Sequence, residues 1–253
     1  MADTEKKIAW IIGGGSGIGA ASARLLADRG WKVAISGRRR EKLDEVAAGR
    51  DIHPFPLDVT DADAVADVVA QISRTLGRID LTIFGAAAWQ PSEPGDYAFD
   101  KFQKVVDTNL LGVVRLANPL FEQYEKQGGG ELAVISSVAG YVGLPRAAAY
   151  NATKSSLISL TESMHAEMAP RNINVRVVAP GFFKSELTEK NDFPMPFLLE
   201  TEDAARRMVD GLTNSKSFEI AFPKRMAFIL KFMRMLPYPL FFAITSRMMP
   251  KDN

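Results

Sequence analysis

Ile8-Ala9-Trp10-Ile11-Ile12 runs straight into Gly13-Gly14-Gly15-Ser16-Gly17-Ile18-Gly19, and a helical pattern from Ala20 to Arg29 follows, closed by Gly30. Five continuous apolar residues read as a strand buried on both faces, as in a parallel sheet. Gly30 reads as a helix C-cap. In this order, strand, turn and helix give the glycines a meaning. They permit a tight turn and let backbone N–H groups approach a pyrophosphate at the positive end of a helix. A glycine-rich turn without a ligand is the alternative, and the flanking strand and helix argue for the nucleotide.

The pattern continues along the chain. Strands are predicted at Lys32 to Ser36, Ile52 to Leu57, Ile79 to Phe84, Leu132 to Ile135, Ile173 to Val178 and Phe218 to Phe222. Two prolines argue that the Ile52–Leu57 strand lies at a sheet edge. Helices are predicted over Ala62–Leu76, where Thr60 or Asp61 can cap, and over Phe99–Gln127, stopped by Gly128-Gly129-Gly130. Pro91 to Gly95 reads as a loop. This is the pattern of an α/β fold: a doubly wound parallel sheet with helices on both faces, which binds ligands outside the carboxyl ends of its strands.

At 253 residues, with 47% hydrophobic and 24% charged side chains, the chain suits one large domain with its own core. A net charge of +1 gives no reason to expect nucleic acid. No cysteine is present, which excludes disulfides and thiolate chemistry and is compatible with a reducing compartment. His53 and His165 lack ligand spacing, so no metal is expected. Met1 to Lys7 leads into only a short apolar run and does not read as a signal peptide. The uncharged stretch Met235 to Ser246 contains two prolines and is too short to span a bilayer.

The second strand ends at Gly37-Arg38-Arg39-Arg40. A carboxylate here would bind a ribose 2′-OH, whereas a guanidinium can clamp a 2′-phosphate. NADP is therefore favoured over NAD, with Arg38 as the ligand. Arg39 and Arg40 read as solvated. Asp58 closes the third strand and could accept from an adenine amino group or serve as a turn residue; spacing alone leaves both open.

Tyr150 and Lys154 lie four apart on a predicted helix, hence on one face. An ammonium roughly 4 Å from a phenol contributes about 4 kcal/mol at an effective dielectric of 20. That would lower a phenol pKa by about three units, towards neutrality. A sheltered pair of this kind suits proton transfer. An exposed lysine beside a half-buried tyrosine is the bland alternative. Asn109, in the middle of a predicted helix, has either a solvent address or a job.

Taken together, the residues resemble the short-chain dehydrogenase/reductase family in its compact single-domain form, over about residues 6–222. Gly13-x-x-x-Gly17-x-Gly19 matches its nucleotide loop, so the resemblance puts Gly13, Gly15, Ser16, Gly17, Ile18 and Gly19 on the cofactor. Asp58, with Val59, matches the adenine contact, and Ala86 lies in the small-residue run after the fourth strand. Asn109, Ser137, Tyr150 and Lys154 match the catalytic tetrad, the last two also as cofactor ligands. Pro180-Gly181-x-x-x-Ser185, with Phe183 inside it, matches the segment that binds the nicotinamide amide.

The implied fold is a Rossmann-like sheet of about seven strands, with residues 1–222 as the dinucleotide-binding and catalytic domain. The implied activity is NADP-dependent hydride transfer between nicotinamide and a carbonyl or secondary alcohol. Tyr150 would donate the proton, Ser137 would hydrogen-bond the same oxygen, Lys154 would lower the phenol pKa and hold the ribose, and Asn109 would bind a water. A small-molecule substrate, a homodimer or homotetramer and a cytoplasmic address are expected. Ile12 and Phe84-Gly85-Ala86-Ala87 depart from the family pattern. Where asparagine amides are usual, another group must satisfy the backbone. A lyase or dehalogenase-like enzyme on the same scaffold fits less well, because Lys154 and the glycines are kept. A nucleotide-sensing protein without turnover is a third class.

Residues 223–253 continue past the usual end as an amphipathic helical hairpin. Met226, Ile229, Leu230, Met233 and Leu236 are expected on one face of its first helix, and Lys224, Lys231 and Arg234 on the other. Leu240 to Met249 is read as its second helix. Two readings stand: packing against protein, or a peripheral contact with the inner face of a membrane. Tyr141, Phe182, Phe183, Phe193, Phe197, Leu198 and Leu199 fall in loops that would cover the site, which suggests an apolar substrate.

Overall fold

The computed structural model describes residues 6–89, 95–191 and 193–249. The loop expected at Pro91–Gly95 lies outside the described residues except for Gly95, as do residues 1–5 and the last four residues of the tail.

Seven strands form one parallel sheet: β1 (Ile8–Ile12), β2 (Lys32–Ser36), β3 (Ile52–Pro54), β4 (Leu81–Phe84), β5 (Gly130–Ile135), β6 (Ile173–Pro180) and β7 (Glu219–Phe222). The order is β3-β2-β1-β4-β5-β6-β7. Strand order reverses between β1 and β4, and there a crevice opens at the carboxyl ends. All five residues of β1 are buried, as the continuous apolar run implies. Side chains alternate between the two faces. Ile11, Ile35, Ile83 and Ile135 pack under α1 (Gly17–Asp28), α2 (Arg40–Ala47) and α7 (Thr201–Asn214). Trp10, Ile12, Phe84 and Val134 pack under α3 (Ala62–Leu76), α5 (Gly112–Lys126) and α6 (Ala148–Met168).

Several boundaries differ from expectation. β3 lies at the edge, as its two prolines imply, and ends at Pro54; the Phe55 and Leu57 N–H groups still donate to the Ile35 and Gly37 carbonyls at 2.8 and 3.0 Å, so Pro56 falls on the open side. The helix expected over Phe99–Gln127 is broken: α4 (Phe99–Val106) passes through a π turn, Asp107–Leu111, into α5. Asn109 sits in that turn, fully buried. Turns of this kind re-aim side chains and recur at functional sites.

The tail folds as α8 (Lys224–Met235) and α9 (Tyr238–Thr245), followed by a short 3-10 turn, Ser246–Met248. Met226, Ala227, Leu230 and Met233 pack against Val138, Val142 and Ala179. Ile229, expected on this buried stripe, is instead exposed, and Leu236 lies only at its margin. The reason is that α8 is apolar on two sides, so its periodicity does not single out one buried face. Lys231 pairs with Glu219 on β7, which also accepts from the Tyr141 hydroxyl at 2.7 Å. Among the described residues no helix is long and apolar enough to cross a membrane.

Candidate active site

The first wall of the crevice is the glycine turn. A Cβ on Gly19 would lie 2.2 Å from the carbonyl oxygen of Gly13, so only glycine lets α1 start so close to β1. Ser16 occupies the N-cap of α1 without a side-chain cap bond. First-turn N–H groups of α1 thus remain for an anionic ligand. Ser185 comes within van der Waals distance of Gly17, 3.7 Å from the position of a Cβ there, so the segment after β6 closes over the turn.

Beyond β2, the three arginines separate. Arg39 pairs with Glu186 at 3.2 Å and Arg40 with Asp44 at 2.9 Å. Arg38 is exposed and makes neither a hydrogen bond nor an ion pair among the described residues. Asp58 accepts from the Thr60 N–H at 3.0 Å and hydroxyl at 2.8 Å, both through Oδ1. Partial burial raises its pKa, but the Thr60 bonds, helped by Arg38 and Arg115, outweigh that and hold the carboxyl below its usual range. The turn role is therefore real, and Oδ2 is left over. Val59 is buried against Gly112.

The centre of the site lies between β5 and α6. Ser137, after β5, accepts from the Ala139 N–H at 3.1 Å. Its hydroxyl also donates to the Pro180 carbonyl at 3.3 Å and is close enough to the Tyr150 phenol to lower its pKa. Ser136 Oγ donates to the Lys154 carbonyl at 2.7 Å, pinning α6 to the strand. Gly140 is required beside it: a Cβ would stand 2.8 Å from that same carbonyl. Lys154 is 2% exposed, and its Nζ donates to the Ile135 carbonyl at 2.8 Å. An ammonium carries three donors; the other two have no partner among the described residues. A ribose diol fits this need, and the open first turn of α1 fits a pyrophosphate, so the crevice suits a dinucleotide.

The electrostatics correct one expectation. Burial raises the Tyr150 pKa, and the Ser137 hydroxyl only partly offsets this. Lys154 does not bond the phenol; its Nζ lies 5.5 Å from the ring centroid. Burial also lowers the lysine to about 7, so near neutrality it carries a full charge only part of the time. In the unliganded chain the phenol therefore keeps its proton and is not brought close to neutrality by its lysine.

Asn109 clamps the run after β4. Its Oδ1 accepts from the Ala88 N–H at 2.6 Å, and its amide donates to the Ala88 carbonyl at 3.1 Å and to Thr153 Oγ1 at 3.2 Å. This is the group that satisfies backbone where the sequence lacks the usual asparagines. Gly85, at the other end of the run, bonds the Ile12 carbonyl at 2.8 Å. With both amide hydrogens spent on protein, Asn109 could hold a water only through its carbonyl oxygen.

Three residues at the site escaped the sequence reading. Trp89 packs edge-on against the Tyr150 ring, with centroids 5.2 Å apart, and its indole N–H donates to Asn191 Oδ1 at 3.1 Å. It thus ties the catalytic helix to the segment after β6. Thr188 braces that segment, accepting from the Ser185 N–H at 2.9 Å and lying 2.8 Å from the Phe183 carbonyl. An aromatic just after the small-residue run 85–88 was the available signal.

The other lid candidates divide. Phe182 meets Phe193 edge-on at 6.0 Å. Gly181 turns toward the tail, its N–H on the Phe222 carbonyl at 2.7 Å. Phe197 and Leu198 line a groove of about 800 Å³ along the outer edge of β7, which none of Asn109, Ser137, Tyr150 and Lys154 lines. Among the described residues no cluster of three or more His, Cys, Asp or Glu could hold a metal.

With this geometry in view, known proteins give the class. The family model for short chain dehydrogenase matches residues 7–194. The chain belongs to that family and is an oxidoreductase of it. An uncharacterized oxidoreductase from Myxococcus xanthus (strain DK1622) is 35% identical over 253 residues, covering 98% of this chain and 100% of the relative. A short-chain dehydrogenase from Streptomyces avermitilis superposes with a TM-score of 0.81 at 24% identity, over 96% of this chain and 97% of that one. ElxO, solved with NADP bound, superposes with a TM-score of 0.76 at 27% identity, over 85% and 97% of the two chains.

Proposed function

We propose that this protein is an NADP(H)-dependent reductase or dehydrogenase acting on an apolar ketone or its secondary alcohol. The observation that carries the reading is Tyr150 beside Ser137, whose hydroxyl lowers the phenol pKa, next to a buried Lys154 that spends one donor on the Ile135 carbonyl and has no other hydrogen-bond partner among the described residues. Bound nicotinamide supplies or accepts the hydride. Gly13 to Gly19, Pro180, Gly181, Phe183 and Ser185 hold its dinucleotide, with Ala86, Asp58 and Val59 along the crevice. In the reductive direction Tyr150 Oη passes its proton to the carbonyl oxygen. Ser137 turns its hydrogen from the long contact with Pro180 to the same oxygen, where negative charge develops. Lys154 holds the ribose and, when charged, stabilises the phenolate left behind. Asn109 acts by fixing Ala88 and Thr153, whose hydroxyl donates to the Tyr150 carbonyl at 2.9 Å.

The preference for NADP rests on Arg38, which is exposed and makes no hydrogen bond or ion pair among the described residues, while its two neighbours are paired. A charge-assisted bond to a 2′-phosphate is worth about 1.5–3 kcal/mol. Arg38→Ala should therefore lower the NADPH-over-NADH preference in kcat/KM by about 10- to 100-fold. Parallel titrations with both cofactors read this; an unchanged ratio would remove Arg38 as the ligand.

Trp89 supplies an aromatic wall beside the proton donor. Trp89→Ala should lower kcat/KM for a ketone by about tenfold, mostly through KM, since an aromatic edge contact is worth about 0.5–1.5 kcal/mol beyond its buried area. Trp89→Phe keeps an edge and loses only the bond to Asn191, so it should recover part of the loss. Equal activity in all three proteins would show that the ring does not meet substrate. A homodimer or homotetramer belongs to the same reading, supported by exposed Leu111 at the end of the π turn and Val114 on α5, and by the open outer edge of β7.

A further inference from the structure

We propose that the outward face of α8 and α9 docks the protein on the surface of an anionic lipid bilayer. The inner face of α8 is already committed to Val138, Val142 and Ala179. Its outer face is apolar as well: Phe228 is 72% exposed, Phe232 51% and Met235 74%. Tyr238, Leu240 and Phe242 on α9 are exposed in the same stretch of chain. An apolar surface this concentrated, set among cations, marks an interaction site on a soluble protein.

Charge selects the occupant. Residues 223–253 hold six of the 31 basic side chains and one of the 30 acidic ones, so residues 1–222 hold 25 against 29. Lys231 is taken up by Glu219. Lys224, Arg225, Arg234 and Arg247 are exposed and form no ion pair among the described residues. A second copy of this face, related by a two-fold axis, would set these cations against themselves. An anionic headgroup layer accepts them, at about 1 kcal/mol each near the surface, while the aromatic and Met side chains enter the acyl boundary.

The helices lie on the bilayer; neither is long enough to cross it. A bilayer held on the outer side of α8 stands about one helix diameter, ~10 Å, from the Ser137 loop packed on its inner side. An apolar carbonyl compound dissolved in lipid then reaches the site without crossing water. That delivery rests on the oxidoreductase reading; the docking does not.

The test is co-sedimentation of the full-length protein with vesicles of phosphatidylcholine alone and of phosphatidylcholine with about one-third phosphatidylglycerol. The expected result is pelleting with the anionic vesicles, weakening as NaCl rises from about 0.05 to about 0.5 M. Phe228→Ser/Phe232→Ser/Met235→Ser should cut partitioning at least about tenfold. Arg225→Ala/Arg234→Ala/Arg247→Ala should abolish the preference for phosphatidylglycerol. All six side chains are exposed, and unchanged melting and NADPH binding show that the variants fold. Failure to pellet with either vesicle overturns the proposal, as does equal pelleting of the wild type and the serine variant. Self-association in sedimentation velocity that the serine variant abolishes, without vesicle binding, assigns the face to a second copy instead. NADPH-dependent ketone reduction, measured without lipid, is scored separately.

Discussion

Tyr150→Phe should reduce ketone turnover by at least about 10³-fold while leaving NADPH binding within about twofold. General acid catalysis by a positioned side chain contributes about 10²–10⁴-fold, and the phenol is the donor that lies beside Ser137, whereas the Lys154 ammonium bonds the Ile135 carbonyl and lies 5.5 Å from the ring centroid. Ser137 is held by the Ala139 N–H at 3.1 Å and cannot take over as donor without leaving the developing oxyanion with one bond fewer. The Tyr150 ring stays in place in the variant, because Trp89 packs on its edge and the α6 backbone is anchored through Thr153. Its contribution to the cofactor pocket is therefore retained. Quenching of protein fluorescence by NADPH reads binding, and loss of nicotinamide absorbance reads turnover. Turnover retained within tenfold would reassign the proton donor.

Lys154→Met should remove turnover yet make the unliganded protein more stable at pH 7. Burial lowers the Lys154 pKa from 10.5 to about 7. Below about pH 7 the lysine is charged in both folded and unfolded chains, and folding carries the whole desolvation cost. Between about 7 and 10.5 the unfolded chain binds the proton and the folded chain does not, so stability rises with pH through this window and then levels off. Methionine is similar in length and apolar, so it removes the cost and the pH dependence together. The expected gain at pH 7 is on the order of a few kcal/mol, read as an upward shift in urea midpoint that shrinks towards pH 10. A buried charge that lowers stability is retained where it has another use. If that use is to hold the cofactor ribose, as proposed, the same variant should weaken NADPH binding at least about tenfold. A variant both less stable at pH 7 and unchanged in NADPH affinity would show Lys154 to be structural.

The order of elements was legible because parallel strands buried on both faces leave continuous apolar runs, such as Ile8–Ile12. Helix α3 was legible to its ends, since Asp61 caps it at one end and Gly77 follows at the other. The π turn at Asn109 is not legible in the sequence: one inserted residue leaves no mark on a 3.6-residue pattern, and only the oddity of an asparagine in mid-helix hints at it. The contact between Trp89 and Tyr150 joins residues 61 positions apart on separate elements, beyond any local pattern. The charge state of Lys154 is hidden from the sequence for a related reason. Spacing on a helix says that two side chains share a face, but the balance between attraction and desolvation depends on the third element that covers them. In the tail, the apolar residues of α8 lie on two sides, so periodicity alone does not say that Ile229 faces out.

The most direct measurement is to mix the purified protein with NADPH and a panel of apolar ketones, follow the nicotinamide absorbance, and identify the product. The expected result is a secondary alcohol formed mole for mole with NADP, faster than with NADH. NADPH bound in the crevice, with no ketone reduced and no alcohol oxidised in the reverse direction, would contradict it and leave a protein that senses the nucleotide without using it.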